Sequence, residues 1–125
     1  MLILIHNGVE DSEFIYPYFR FQEEGYRVLS CRHRADETRM GKHCVSLKSD
    51  LSPEEVKLEE FDAILIPGGR APDIMRTNKM LVEIVSEAQV KNKFNATVCH
   101  GPQMLIEADE LRGKKVTCGN SWRLI

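Results

Sequence analysis

A chain of 125 residues, 42% hydrophobic and 29% charged, has enough apolar side chain for one domain with a real core, which excludes the disordered and fibrous classes. A formal net charge of -2 supplies no basic field for nucleic acid, and Arg112, Lys114 and Lys115 make only a short solvated cluster. Residues 1–5 are apolar but have no basic flank and stop at Asn7, Gly8, Glu10 and Asp11, so the expectation is a cytoplasmic protein with neither signal peptide nor membrane span.

The first predicted strand covers residues 2–6. A helix over 12–24 follows, with Phe14, Tyr18 and Phe21 on one face, Gly25 at its end and Pro17 near its start or at a kink. Residues 27–31 read as the second strand. The stretch 34–51 is irregular and reads as a loop with a small hairpin near Val45 and Leu47 that covers a sheet edge. Ser52, Pro53, Glu54 and Glu55 have the form of a capping box, which predicts a short helix there. Residues 63–67 are a third strand, and the helix after Asn78 is expected to bury Met80, Leu81, Ile84, Val85 and Ala88. A strand over 96–99, a helix with Met104, Leu105, Ala108 and Leu111 on one face, and a strand over 115–118 complete an alternating α/β pattern with a parallel sheet.

Chemistry-bearing residues fall at the carboxyl ends of three strands, where ligands of open parallel sheets sit. Cys99, His100, Gly101 and Pro102 follow an apolar run directly, and Pro102 suits the first position of a helix. This is the pattern of a nucleophile elbow, in which a sharp turn presents the apex side chain and helix-start N–H groups favour a thiolate. The plainer alternative is a buried structural cysteine. Gly68 and Gly69, between Pro67 and Arg70, let backbone N–H groups approach a substrate, so Gly69 and the N–H of His100 could form an oxyanion hole; alternatively the pair is only a tight turn. Glu10, before the first helix, is either a helix cap or an acid that tunes the thiol, with a pKa raised by burial. Cys31, Cys44, Cys99 and Cys118 contain no CxxC pair and read as free thiols. His43 beside Cys44 is too little for a metal site, and no cofactor is expected.

The 67–72 loop, the 99–103 elbow, the 111–115 segment, and Glu10 and Asp11 ahead of Tyr16, Pro17 and Tyr18 resemble the DJ-1/PfpI superfamily, most closely its PfpI-like intracellular proteases. The resemblance implies a single domain over residues 1–125. Its fold would be a flavodoxin-like three-layer sandwich with a mostly parallel central sheet, class I glutamine amidotransferase-like, lacking the closing C-terminal elements. It further implies Cys99 as nucleophile, Glu10 as its acidic neighbour, His100 as the imidazole, and Asp73 as the acid that reaches His100 in trans from a neighbouring subunit of a homo-oligomer. Gly69 and His100 would serve the oxyanion. Phe94 stands where a Gly-Lys-Pro lead-in is common, and the end at Ile125 would leave apolar surface and a sheet edge for a partner to complete.

The leading expectation is a cysteine-dependent hydrolase of the peptidase type. The second is a glyoxalase or deglycase that acts through Cys99 and Glu10 on methylglyoxal or glycated adducts. The third is a redox sensor or chaperone without turnover, in which Cys99 oxidises to a sulfinate. The partners would be a peptide or a small dicarbonyl, without nucleic acid or membrane.

Overall fold

In a computed structural model describing residues 1–34 and 38–117, the chain runs β1 (Leu2–Leu4), α1 (Asp11–Glu23), β2 (Leu29–Cys31), then a hairpin of β3 (Thr38–Met40) and β4 (Ser46–Lys48). Two 3-10 turns at Pro53–Glu55 and Leu58–Glu60 lead to β5 (Ala63–Ile66), α2 (Ala71–Met75), α3 (Lys79–Val90), β6 (Phe94–Thr97) and α4 (Pro102–Glu107). The main sheet has the order β2-β1-β5-β6 and is parallel throughout, with Ile3 registered between Ser30 and Leu65.

Uninterrupted apolar runs make strands that are buried on both faces. Accordingly Leu2, Ile3, Leu4, Ile64 and Ile66 are fully buried and form the middle of the core. From β1 the chain crosses over through α1 to β2, and from β5 through α2 and α3 to β6 in the opposite direction. Right-handed crossovers in opposite directions place α1 and α3 on opposite faces of the sheet. The α/β expectation is met, and the reversal between β1 and β5 is the switch point outside which ligands of such sheets bind.

Local sequence explains the element ends. The Asn78 side chain accepts from the N–H groups of Met80 and Leu81 at 3.0 and 3.4 Å, which starts α3, and Leu81, Ile84, Val85 and Ala88 bury its apolar stripe. Met80 departs from the expectation: it lies at the margin of that stripe and is 39% exposed. The Glu55 carboxylate accepts from both the N–H and the hydroxyl of Ser52, but the predicted short helix is a single 3-10 turn. Pro17 lies well inside α1 and leaves the Glu13 carbonyl without its helical donor. The predicted hairpin is β3–β4, and the segment after it borders β2, where Asp50 accepts from the N–H and hydroxyl of Ser30.

Two expectations are revised at the far side of the sheet. Residues 115–117 form no strand, and Cys118 lies outside the described residues. The strand expected over 96–99 is β6, which ends at Thr97 and is the sheet's edge among the described residues. With no strand beyond it among the described residues, Phe94 is exposed, as is Val98 just after its end. Among the described residues no helix is long and apolar enough to cross a membrane.

Candidate active site

Three loops meet at the carboxyl end of the sheet, and backbone hydrogen bonds join them. Arg70 donates its N–H to the Gly8 carbonyl at 2.8 Å and Glu10 to the Gly68 carbonyl at 3.2 Å, with Val9 bridged to Gly69. The loops after β1 and β5 are thereby closed onto each other, and the open position shifts to the junction of β5 with β6. There Val98 donates to the Ile66 carbonyl at 3.2 Å and Gly101 to the Val98 carbonyl at 2.7 Å, folding the chain back sharply at Cys99.

Cys99 has φ 56°, a left-handed conformation that costs a non-glycine residue about 1 kcal/mol, and it is exposed. A strained apex that holds a thiol in solvent is what the elbow pattern predicted, and the buried structural alternative does not describe it. Opposite the apex lies Gly68. A β-carbon there would sit 2.6 Å from Cys99 Cβ, 2.8 Å from the His100 nitrogen and 2.8 Å from Glu13 Oε2. One point in space therefore touches the thiol-bearing carbon, a backbone donor and a carboxylate. Gly69 follows in the left-handed region at φ +75°.

The acid at this point is Glu13, which the sequence reading passed over. Its Oε2 accepts the Gly68 N–H at 2.7 Å. A signal did exist: helical side chains lean toward the helix N-terminus, so an acid one turn into α1 reaches back over the strand ends.

Glu10 stands beside the same loops but faces elsewhere. Its carboxylate lies 3.0 Å from Lys42 Nζ and 3.1 Å from His43 Nε2, on the β3–β4 turn. The expectation of a raised pKa is overturned. The Lys42 ammonium donates to Glu10, which outweighs desolvation and lowers the carboxyl below its ordinary value, and Lys42 is raised in turn. Because the folded pKa is depressed, the pair's contribution is present above the ordinary carboxylate range and is lost as acid titrates Glu10 through its lowered value.

Asp11 fixes the turn that carries Lys42. Its buried carboxylate accepts the N–H groups of His43 and Val45 at 2.6 and 3.2 Å, and a β-carbon on Gly41 would run into it. Ligand atoms of Glu10, Asp11 and His43 lie within 4.8 Å of one another, a spacing a metal ion could use. Both Asp11 oxygens, however, already hold backbone donors and Glu10 holds Lys42, so the set is satisfied within the protein.

Asp73 is exposed in the first turn of α2, with Arg76 Nε 4.0 Å away; Arg76 also lies 3.7 Å from Glu107. His100 is half-buried directly after the apex. The other described thiols differ by environment. Cys44 is exposed, whereas burial, with Glu54 and Glu55 adding to it, pushes the Cys31 thiol up to about 12. Iodoacetamide should therefore modify Cys99 and Cys44 in the native protein and Cys31 only after denaturation, as read by peptide mass. Native labelling of Cys31 at the rate of Cys44 would contradict this.

Comparison with known proteins places this geometry. The model of the DJ-1/PfpI family matches residues 1–124. The chain belongs to the DJ-1/PfpI family. It is 46% identical over 117 residues to a protein named Deglycase PfpI from Pyrococcus furiosus, covering 94% of this chain and 70% of that one. It is 38% identical over 116 residues to the putative cysteine protease YraA of Bacillus subtilis, covering 92% and 68%. Among solved structures, a two-domain protein from Anabaena variabilis with DJ-1/ThiJ/PfpI-like and ferritin-like domains aligns with TM-score 0.94 at 44% identity. That match covers 98% of this chain and 35% of that one. Schizosaccharomyces pombe DJ-1 aligns with TM-score 0.85 at 21% identity, covering 98% and 68%, and supports the flavodoxin-like fold alone. This DJ-1/PfpI chain thus spans about 70% of the length of the Pyrococcus relative.

Proposed function

We propose that the chain is a cysteine-dependent enzyme of the deglycase and glyoxalase type, with Cys99 as nucleophile and Glu13 as proton carrier. The observation that carries this reading is the convergence on Gly68 of the exposed Cys99 apex, the His100 nitrogen and the Glu13 carboxylate, all from one chain. Relatives named as deglycases support it.

The Cys99 thiolate adds to the aldehyde carbon of a methylglyoxal-type dicarbonyl. A C–S bond forms, and the carbonyl oxygen, facing the N–H groups of His100 and Gly69, takes a proton. If the aldehyde carbon arrives as a hemiaminal or hemithioacetal, sulfur takes the place of the amine or thiol, which leaves with a proton. Glu13 then removes the proton from the sulfur-bearing carbon as the neighbouring ketone oxygen is protonated, giving an enediol, and returns it to the former ketone carbon as the hydroxyl on the sulfur-bearing carbon loses its proton, giving a 2-hydroxy thioester. Water cleaves the C–S bond, releasing a 2-hydroxy acid and restoring the thiol. The net change is dicarbonyl plus water to hydroxy acid.

Peptidase chemistry is the second reading. Asp73 is exposed on α2, where a neighbouring copy could meet it, and a relative is named a putative cysteine protease. The test is lactate formation from methylglyoxal, amine release from its lysine adduct and cleavage of an unstructured fluorogenic peptide, by wild type, Cys99→Ala and Asp73→Asn, beside the sedimentation mass. Lactate and amine release lost by at least about 10³-fold in Cys99→Ala and kept in Asp73→Asn is the expected result. Peptide cleavage confined to an oligomer and lost in Asp73→Asn would favour the peptidase. Absence of both activities would overturn both readings.

A further inference from the structure

The thiol loop is one end of a stack of four loops. Outermost is the β3–β4 turn, residues 41–45, which docks on the loop after β1: Lys42 donates its N–H to the Val9 carbonyl at 2.8 Å and Gly8 to the Met40 carbonyl at 3.1 Å. That loop is closed on Gly68 to Arg70, and Gly68 faces Cys99. The turn is held at both ends of Lys42, because Asp11 binds the N–H groups of His43 and Val45 while Glu10 binds the ammonium itself.

The charged and titratable groups around this stack include Glu10, Asp11 and Glu13 from α1 and its entry, His6 from the loop after β1, Lys42, His43 and Cys44 from the turn, Arg70 after Gly69, and His100 after the apex. Three carboxylates stand there against two permanent cations, Lys42 and Arg70. The ammonium of Lys42, 3.0 Å from Glu10, is the cation that the turn delivers to this corner. It shares one electrostatic field with the thiol, since Cys99 and Glu13, like Glu10, favour its charged form.

We propose that Lys42, anchored by Glu10 and the Asp11-bound turn, is a positioning residue that supports the Cys99 thiolate and makes the site favour anionic electrophiles over neutral ones of the same size. The inference rests on Cys99 being the reacting atom of the reading above. It gives Glu10 an indirect part in tuning the thiol, through the cation it holds.

The test is the pH profile of Cys99 alkylation by neutral iodoacetamide and anionic iodoacetate, followed by the mass of the Cys99 peptide because Cys44 is also exposed. Lys42→Met should slow iodoacetamide about fivefold at neutral pH, move the profile to higher pH and lower the iodoacetate-to-iodoacetamide rate ratio about threefold. Lys42→Arg should keep both values near wild type, and Glu10→Gln should shift both in the direction of Lys42→Met. A merely structural part would move neither the ratio nor the profile. An unmoved profile and ratio in Lys42→Met overturns the proposal, as does an equal shift in Lys42→Arg. The readout needs no turnover. A wild type that forms no lactate but shows the Lys42 shift fails the deglycase reading alone, and lactate formation with an unmoved profile fails the Lys42 inference alone.

Discussion

Glu13→Gln is expected to lower lactate formation by about 10²-fold or more while the iodoacetamide rate of Cys99 stays within about tenfold of wild type. Glutamine keeps an oxygen that can accept the Gly68 N–H, now accepted by Glu13 at 2.7 Å, so the loop opposite the thiol should hold its shape. What it lacks is a proton to give and take between the two carbons of the thiohemiacetal. Alkylation reads the thiol alone, whereas turnover reads the thiol and the proton transfer together, so the two rates should separate. If both fall in parallel, Glu13 is a structural support of the Gly68 loop. If neither falls, the proton carrier is another group, and Glu10→Gln becomes the variant to assay. The kinetic form of the loss also matters: a fall in kcat with an unchanged KM places the carboxylate in the chemical step, whereas a rise in KM alone places it in binding.

The sheet was legible because its central strands are continuous apolar runs. Leu2 to Ile5 and Ile64 to Ile66 have no exposed face, and that pattern admits few architectures. The elbow was legible because Cys, His, Gly and Pro in that order restrict the backbone strongly. Contacts that depend on how one loop lies over another were not. Glu10 and Glu13 are both acids near the start of one helix, and choosing between them requires knowing that the turn at 41–45 occupies Glu10 with Lys42 and His43. Nothing local to Glu10 reports a cation 32 residues away. The exposure of Val98 and Phe94 was illegible for a related reason: Ala96, Thr97 and Val98 have the composition of an interior strand, whereas among the described residues β6 pairs with β5 alone. Strand propensity describes a residue's fit to a pleated surface, and it is silent on whether a second neighbour exists.

Gly68→Ala tests the site geometry with the smallest addition chemistry allows. Its new methyl group would lie 2.6 Å from Cys99 Cβ and 2.8 Å from both the His100 nitrogen and Glu13 Oε2. Glu13 can swing away, since it is a long side chain. The other two neighbours cannot, because Cys99 Cβ is fixed by the backbone of a turn that Gly101 ties to Val98, and His100 N is itself backbone. The elbow and the Gly68 loop must then separate, and overpacking of this kind costs about 1–3 kcal/mol of stability. The chemical consequence should be larger than the thermodynamic one, because separation pulls the thiol away from the Glu13 carboxylate and from the His100 N–H at once. Turnover is expected to fall at least about 10²-fold, with the denaturation midpoint lowered but the protein still folded by circular dichroism. A variant that keeps wild-type turnover would mean that Cys99 and Glu13 do not act as a pair across Gly68. A variant that keeps the stability but loses the turnover would place the accommodation in the side chains, with Glu13 displaced. Alkylation separates that case from the first, because a displaced Glu13 leaves the thiol reactive while a displaced elbow alters its reactivity as well.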